Sequence, residues 1–240
     1  GRVLPLTDHF PHHGFTRVMY LSNGDFLLVG PSKAFDATDA NARRRARHDD
    51  GVMFVLDKGL AKPPVSLGVE CDEGPAVSRK SLRVAWTHGK QDRISAAEVV
   101  YSDGRPKLAG VKVLTDATKF GRPVKMIETQ NFVPPDDRAL TVTAYGFDSA
   151  TNTDAFLLDV ESGKLTNLTN SPAAYDEAEG VFPDGTATTV EHAPSSGKAW
   201  PLVDIYRLPI DGCGTLDRLT HFTDYLGWKA AQPVVSDDGK

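Results

Sequence analysis

Short runs of apolar and β-branched residues recur along this chain, separated by Asp, Ser, Pro and Gly, and no helical 3.6-residue periodicity is sustained anywhere. Phe26–Val29, Leu82–Thr87, Ala139–Tyr145 and Ala187–Glu191 carry the residues that suit a pleated, half-buried surface, so each predicts a strand. A related phrase precedes each of them. It reads Glu179-Gly180-Val181-Phe182-Pro183-Asp184-Gly185 in one place and Asn131-Phe132-Val133-Pro134-Pro135-Asp136-Asp137 in another. Looser copies are Gly74–Lys80 and Arg17–Gly24, and a fifth is Gln232-Pro233-Val234-Val235-Ser236-Asp237-Asp238-Gly239-Lys240. Copies spaced by roughly 47 to 56 residues indicate a repeat whose period is that of propeller blades.

A third segment comes next in each unit: Val52–Leu56, Ala97–Tyr101, Ala155–Val160 and Asp204–Leu208. Each ends in a turn (Asp57-Lys58-Gly59, Ser102-Asp103-Gly104, Glu161-Ser162-Gly163, Asp211–Gly214) able to supply the positive-φ positions of tight hairpins. Short segments such as Lys164–Thr169 and Leu216–Thr220 close the units. The chain is therefore read as all-β, a β-propeller of four-stranded antiparallel blades over approximately 15–70, 75–120, 131–170 and 180–222, with part of a fifth at 233–240. A β-sandwich would share the strands but not the recurring phrase.

The run Asp204-Ile205-Tyr206-Arg207-Leu208 through Arg218-Leu219-Thr220 and on to Pro233–Gly239 resembles the TolB-like, PD40-type relatives of WD40 propellers. The likeness extends from about Phe15 onward. It implies six or seven blades in the parent, so 1–240 is expected to be a single propeller domain or the N-terminal portion of one. Val3–Leu6 is the candidate outer strand of a blade completed elsewhere; a second chain could complete the ring, and a closed four-bladed ring is the alternative. The resemblance also implies a secreted or periplasmic location. It indicates fold far better than function, because such relatives include transport proteins, protease propellers and carbohydrate-active enzymes.

A net charge of -5 argues against a general nucleic-acid binder. The basic run Arg43–His48 is flanked by Asp36, Asp39, Asp49 and Asp50 and reads as a self-paired loop. No stretch approaches the ~18–20 apolar residues of a membrane span. Cys71 and Cys213 fall in loops on opposite propeller faces and are expected to be free thiols.

In the resembling propellers ligands bind where the strand two-to-three loops and the blade-to-blade loops emerge. These loops carry three candidate groupings. Carboxylates Asp72, Glu73, Glu128, Asp176, Glu177 and Glu179 could hold Ca²⁺ or another divalent cation, with His13, Asp176 and Glu179 the candidate metal ligands. His88 and His192 are the candidate catalytic groups, as acid and base. Tyr175, Trp200, Tyr225 and Trp228 could stack on sugar rings. The ligand-binding candidates are Glu73, Glu128, Gln130, Tyr175, Asp176, Glu177, Glu179, Trp200, Trp228 and Gln232. Each grouping has a plain counterpart in turn-capping acids, surface histidines and core aromatics.

No Gly-x-Ser-x-Gly elbow, His-Glu-x-x-His helix or phosphate-cradling glycine loop is present. The leading expectation is an extracytoplasmic propeller binding a small polar ligand, a saccharide in particular. The alternatives are a polysaccharide lyase or glycosidase on the same scaffold, with the Arg43–Arg47 loop neutralising a uronate, and a protein-interaction or gating module.

Overall fold

The computed structural model describes residues 17–33, 38–42, 51–146, 152–171, 173–194, 202–212 and 215–239. Within them the repeat folds as four antiparallel four-stranded sheets, each in simple sequential order. Blade one comprises β1 (Arg17–Tyr20), β2 (Phe26–Pro31), β3 (Gly51–Leu56) and β4 (Val65–Glu70). Blade two comprises β5 (Glu73–Val77), β6 (Arg83–His88), β7 (Arg93–Ser102) and β8 (Arg105–Asp116). Blade three comprises β9 (Met126–Phe132), β10 (Ala139–Tyr145), β11 (Asp154–Asp159) and β12 (Leu165–Asn167). Blade four comprises β13 (Tyr175–Val181), β14 (Ala187–Ala193), β15 (Asp204–Pro209) and β16 (Asp217–Arg218). The all-β propeller reading of the sequence is what the chain adopts.

Two compact units divide the chain, Gly1–Val113 and Leu114–Lys240. In the first, Leu27, Val29, Met53 and Val55 of blade one pack against Val84, Trp86, Ala97 and Val99 of blade two. These residues alternate along their strands, as burial of one pleated face requires. Gly51 is forced by close approach, since a Cβ there would lie 2.2 Å from the Cys71 carbonyl oxygen. Cys71 is a free, fully buried thiol, and burial first, then the neighbouring Asp72, pushes its pKa far up. Cys213 lies outside the described residues.

In the second unit, Ala155 and Leu168 of blade three pack with Ala178, Val190 and Leu208 of blade four. The turn of the recurring phrase is visible at Gly185, whose φ of +72° and close approach to the Pro134 carbonyl leave no room for a side chain. The β13–β14 ladder shifts register between Ala178 and Val181, and β5–β6 and β9–β10 shift at the corresponding place. These bulges lie in the first strand of blades two, three and four, where they re-aim side chains. Pro233–Gly239, expected to begin a fifth blade, forms no β-ladder, but Val235 lies against Gly180 of β13.

Candidate ligand pocket in the second unit

Alternation along β13 turns Tyr175, Glu177 and Glu179 to one side of the sheet and Asp176 to the other. The first three line a cavity of about 430 Å³ together with Glu191 of β14, Val203, Lys229, Ala231 and Gln232. Glu191 is there because β14 pairs with β13 in a register that sets Glu177 directly opposite it. The side-chain oxygens of Glu177, Glu179 and Glu191 lie within 4.8 Å of one another.

The cluster is braced from behind. Tyr145 at the end of β10 places its hydroxyl between Glu128 Oε2, at 2.7 Å, and Glu177 Oε1, while Tyr175 donates to Glu177 Oε2. Burial, then the adjacent Glu128 and Glu177, pushes the Tyr145 phenol well above its ordinary pKa. Burial and Glu177 do the same to Tyr175. Both phenols therefore stay protonated and act as donors. Glu191 accepts a hydrogen bond from the Gln232 backbone N–H. Burial pushes its carboxyl pKa up to about 7, with Glu177 adding to the rise and the Gln232 amide and Lys229 opposing it.

The expected pairing of Asp176 with Glu179 as metal ligands is not what the fold makes. The pleat puts Asp176 on the opposite side of β13, where Ser171 Oγ donates to one oxygen and His192 Nδ1 lies 2.5 Å from the other. His192, directly across the ladder from Asp176, also packs edge-on against Tyr206 with ring centroids 4.8 Å apart. Neither Asp176 nor His192 lines the cavity. The carboxylates that do come together are Glu177, Glu179 and Glu191, which could give a hard cation three oxygen ligands, half or less of a calcium shell.

Of the other candidates in this unit, Gln232 lines the cavity and Glu128 reaches it through Tyr145. Gln130 on β9 has a buried amide nitrogen with no acceptor among the described residues. Trp228 is 62% exposed and does not line the cavity. His13 and Trp200 lie outside the described residues. In the first unit, Glu73 is buried and ion-paired with Arg17, and Asp72 accepts from the Gln91 amide at 2.8 Å. Burial raises the Asp72 pKa, an effect the Gln91 amide opposes. His88 closes β6 with Nε2 2.8 Å from Ser95 Oγ.

Tyr145 and the pairing of Glu191 with Glu177 are the features that strand-by-strand reading missed. The second had no local signal: counting outward from the Asp184-Gly185 turn sets Val181 opposite Thr188 and would set Glu177 opposite His192, and only the bulge between Ala178 and Val181 brings Glu191 there instead.

Four-stranded antiparallel blades in sequential order, with a pocket beside an innermost strand, define a β-propeller scaffold. Solved structures agree. The chain is similar to TolB from Acinetobacter baumannii (20% identity, TM-score 0.54), with 81% of this chain and 42% of that one covered. It is also similar to an oligogalacturonate lyase in complex with manganese (15% identity, TM-score 0.56, 91% and 56% covered). A third similarity is to the GH74 enzyme of Niastella koreensis (10% identity, TM-score 0.50, 86% and 30% covered). Such identities establish the fold alone, and the chain spans between 30% and 56% of the length of these three proteins. No protein-family model and no curated protein matches the sequence. No helix among the described residues is long and apolar enough to cross a membrane.

Proposed function

We propose that this propeller binds a small, hydroxyl-rich polar ligand, neutral or amine-bearing, in the pocket beside β13, and that it works outside the cytoplasm. A neutral saccharide or amino sugar is the class we favour. The observation that carries the reading is the facing set Glu177, Glu179 and Glu191, with the Gln232 segment and Lys229 at its rim. Carboxylates accept hydrogen bonds from hydroxyl or ammonium groups, and a cavity of about 430 Å³ is within the range that small ligands fill. Three carboxylates against one lining ammonium disfavour a uronate, which makes the lyase alternative the weaker one. Likeness in fold to TolB supports the periplasmic setting.

Calorimetric titration with a panel of neutral sugars, amino sugars and uronic acids tests this. Binding of the first two classes is expected to fall at least tenfold in Glu177→Gln, whereas binding confined to uronates sinks the reading. A second reading, glycoside hydrolysis, is favoured by one feature. Glu191, with its raised pKa, could serve as an acid, with Glu177 and Glu179 as the carboxylates facing it. Release of nitrophenol from aryl glycosides, abolished by Glu191→Gln, would establish that reading over simple binding.

A further inference from the structure

The four blades share a register that defines one equivalent position in each innermost strand. Leu21, Ser78, Val133 and Phe182 each donate a backbone N–H to a carbonyl at the head of the second strand, that of Asp25, Arg83, Ala139 and Ala187, at 2.8 to 2.9 Å. The fourth residue beyond each acceptor is Val29, Thr87, Thr143 and Glu191. Across the ladder from these stand Arg17, Glu73, Glu128 and Glu177. The same place in the repeat therefore carries a charged group in every blade.

The two units neutralise this position differently. In the first, Arg17 and Glu73 are opposite in sign and form an ion pair. In the second, Glu128 and Glu177 are both acids, and the Tyr145 hydroxyl stands between them. Blade four adds a further acid, because Glu191 takes the place of the uncharged Val29, Thr87 and Thr143 and faces Glu177 directly. Like charges set opposite each other in a ladder are destabilising, and chains keep such conflicts mainly at functional sites. Among the described residues that line the cavity, Lys229 is the one cation against Glu177, Glu179 and Glu191. The first unit supplies a cation at this position from its own strand, and the second does not.

From this equivalence we infer that the cavity beside β13 holds a subsite for an organic ammonium group, which takes at Glu177 the part that Arg17 takes at Glu73. The inference rests on the reading of that cavity as a ligand pocket and narrows its occupant to amine-bearing molecules, amino sugars among them. A primary ammonium carries three N–H donors. Charge-assisted bonds of about 2.8 Å in tetrahedral directions set three acceptors about 4.6 Å apart. The side-chain oxygens of Glu177, Glu179 and Glu191 lie within 4.8 Å of one another, so one ammonium can reach all three. Tyr145 and Tyr175 donate to one oxygen each of Glu177, which orients the central carboxylate before a ligand arrives. A metal ion fits less well, since calcium takes about six to eight oxygen ligands at shorter range.

Calorimetric titration of the 240-residue chain at about pH 7, where an aliphatic amine is still mostly charged, compares glucosamine with N-acetylglucosamine and glucose. Glucosamine is expected to bind at least tenfold more tightly than either. Glu191→Thr gives blade four the residue that blades two and three carry there, so the variant should fold and lose most of that preference. Tyr145→Phe should lower glucosamine binding and leave glucose binding unchanged, whereas a merely structural role would weaken all three sugars alike. Glucose or N-acetylglucosamine binding as tightly as glucosamine overturns the inference and leaves the pocket reading in place. If no sugar binds, ethanolamine hydrochloride replaces them, with the side-chain carboxyl NMR shifts of the glutamates as the readout. Saturable shifts at Glu177 and Glu191 that ethylene glycol does not cause support the ammonium subsite while the saccharide reading falls, and their absence overturns the subsite as well. Calcium chloride that causes the same shifts and displaces the amine also overturns it, because the occupant is then a metal ion.

Discussion

The two blades of the first unit and the two of the second close their sheets by different means. In the first unit the outermost strands are long, six residues in β4 and twelve in β8, and ladder bonds hold them. In the second they shrink to three residues in β12 and two in β16. The lost ladder bonds are replaced by a buried aspartate at the head of the third strand. Asp204 accepts from Arg218, Thr220 Oγ1, Thr223 Oγ1 and the amides of Phe222 and Thr223. Asp154 likewise takes Asn167, Thr169, the Ser171 amide and Arg122 at 3.0 Å. In blades one and two Gly51 and Arg93 stand at the heads of the third strands, and Cys71 N returns directly to the Gly51 carbonyl at 2.9 Å. One side chain can gather a loop that would otherwise need a strand, at the cost of concentrating stability in that side chain.

The sharpest way to break the comparison is to remove the gathering residue. Asp204→Ala is expected to destabilise the second unit by about 3 kcal/mol, because it strips a charged acceptor from several buried or half-buried donors at once. Urea unfolding of the 240-residue chain measures this, and a loss under about 0.5 kcal/mol would mean that β16 alone suffices. Gly51→Ala probes the other mode. Its Cβ meets the Cys71 carbonyl oxygen, so the first unit should lose about 2 kcal/mol through overpacking.

The two modes also differ in their response to acid. Burial raises the Asp204 pKa, but hydrogen bonds from Thr223, Arg218, Thr220 and the Phe222 amide outweigh it and hold the carboxyl well below the usual range. A depressed folded pKa means that the unfolded chain takes up the proton first as pH falls. Its contribution is therefore present above about pH 4 and drains away below it. Acid titration of the wild type should show a loss of second-unit stability below pH 4 that Asp204→Ala lacks. Parallel curves for the two proteins would refute the assignment.

Most of the scaffold was legible because period-two patterning and turn residues are local: β10, β11 and β15 fall on the expected segments to within a residue or two. Asp204 and Leu219-Thr220 were also visible as parts of the repeat, yet not their bond, since it depends on how the chain returns after β16. The pocket was half legible. Glu177 and Glu179 stood among the candidates, while Asp176 was grouped with them because loop position was read without the pleat that turns it away. The histidines show the same limit, for a residue at the end of a second strand meets Ser95 in one blade and Asp176 in another.

The smallest expected effect concerns Glu191, whose electrostatics oppose those of Asp204. Here burial dominates, and the folded pKa of about 7 lies above the ordinary 4.5. Between those values the folded protein keeps a proton that the unfolded chain has lost, so stability falls as pH rises through the window and stays reduced above it. Glu191→Gln removes the charge and keeps an oxygen to accept from the Gln232 amide. It should therefore be neutral at pH 4.5 and gain about 1 kcal/mol at pH 8, a figure reduced for the solvent that still reaches the group through the cavity mouth. Thermal melts of both proteins from pH 4.5 to 8 give the comparison directly. A variant less stable than wild type at pH 8 would mean that the charge on Glu191 is held by Lys229 and the Gln232 amide more strongly than burial opposes it.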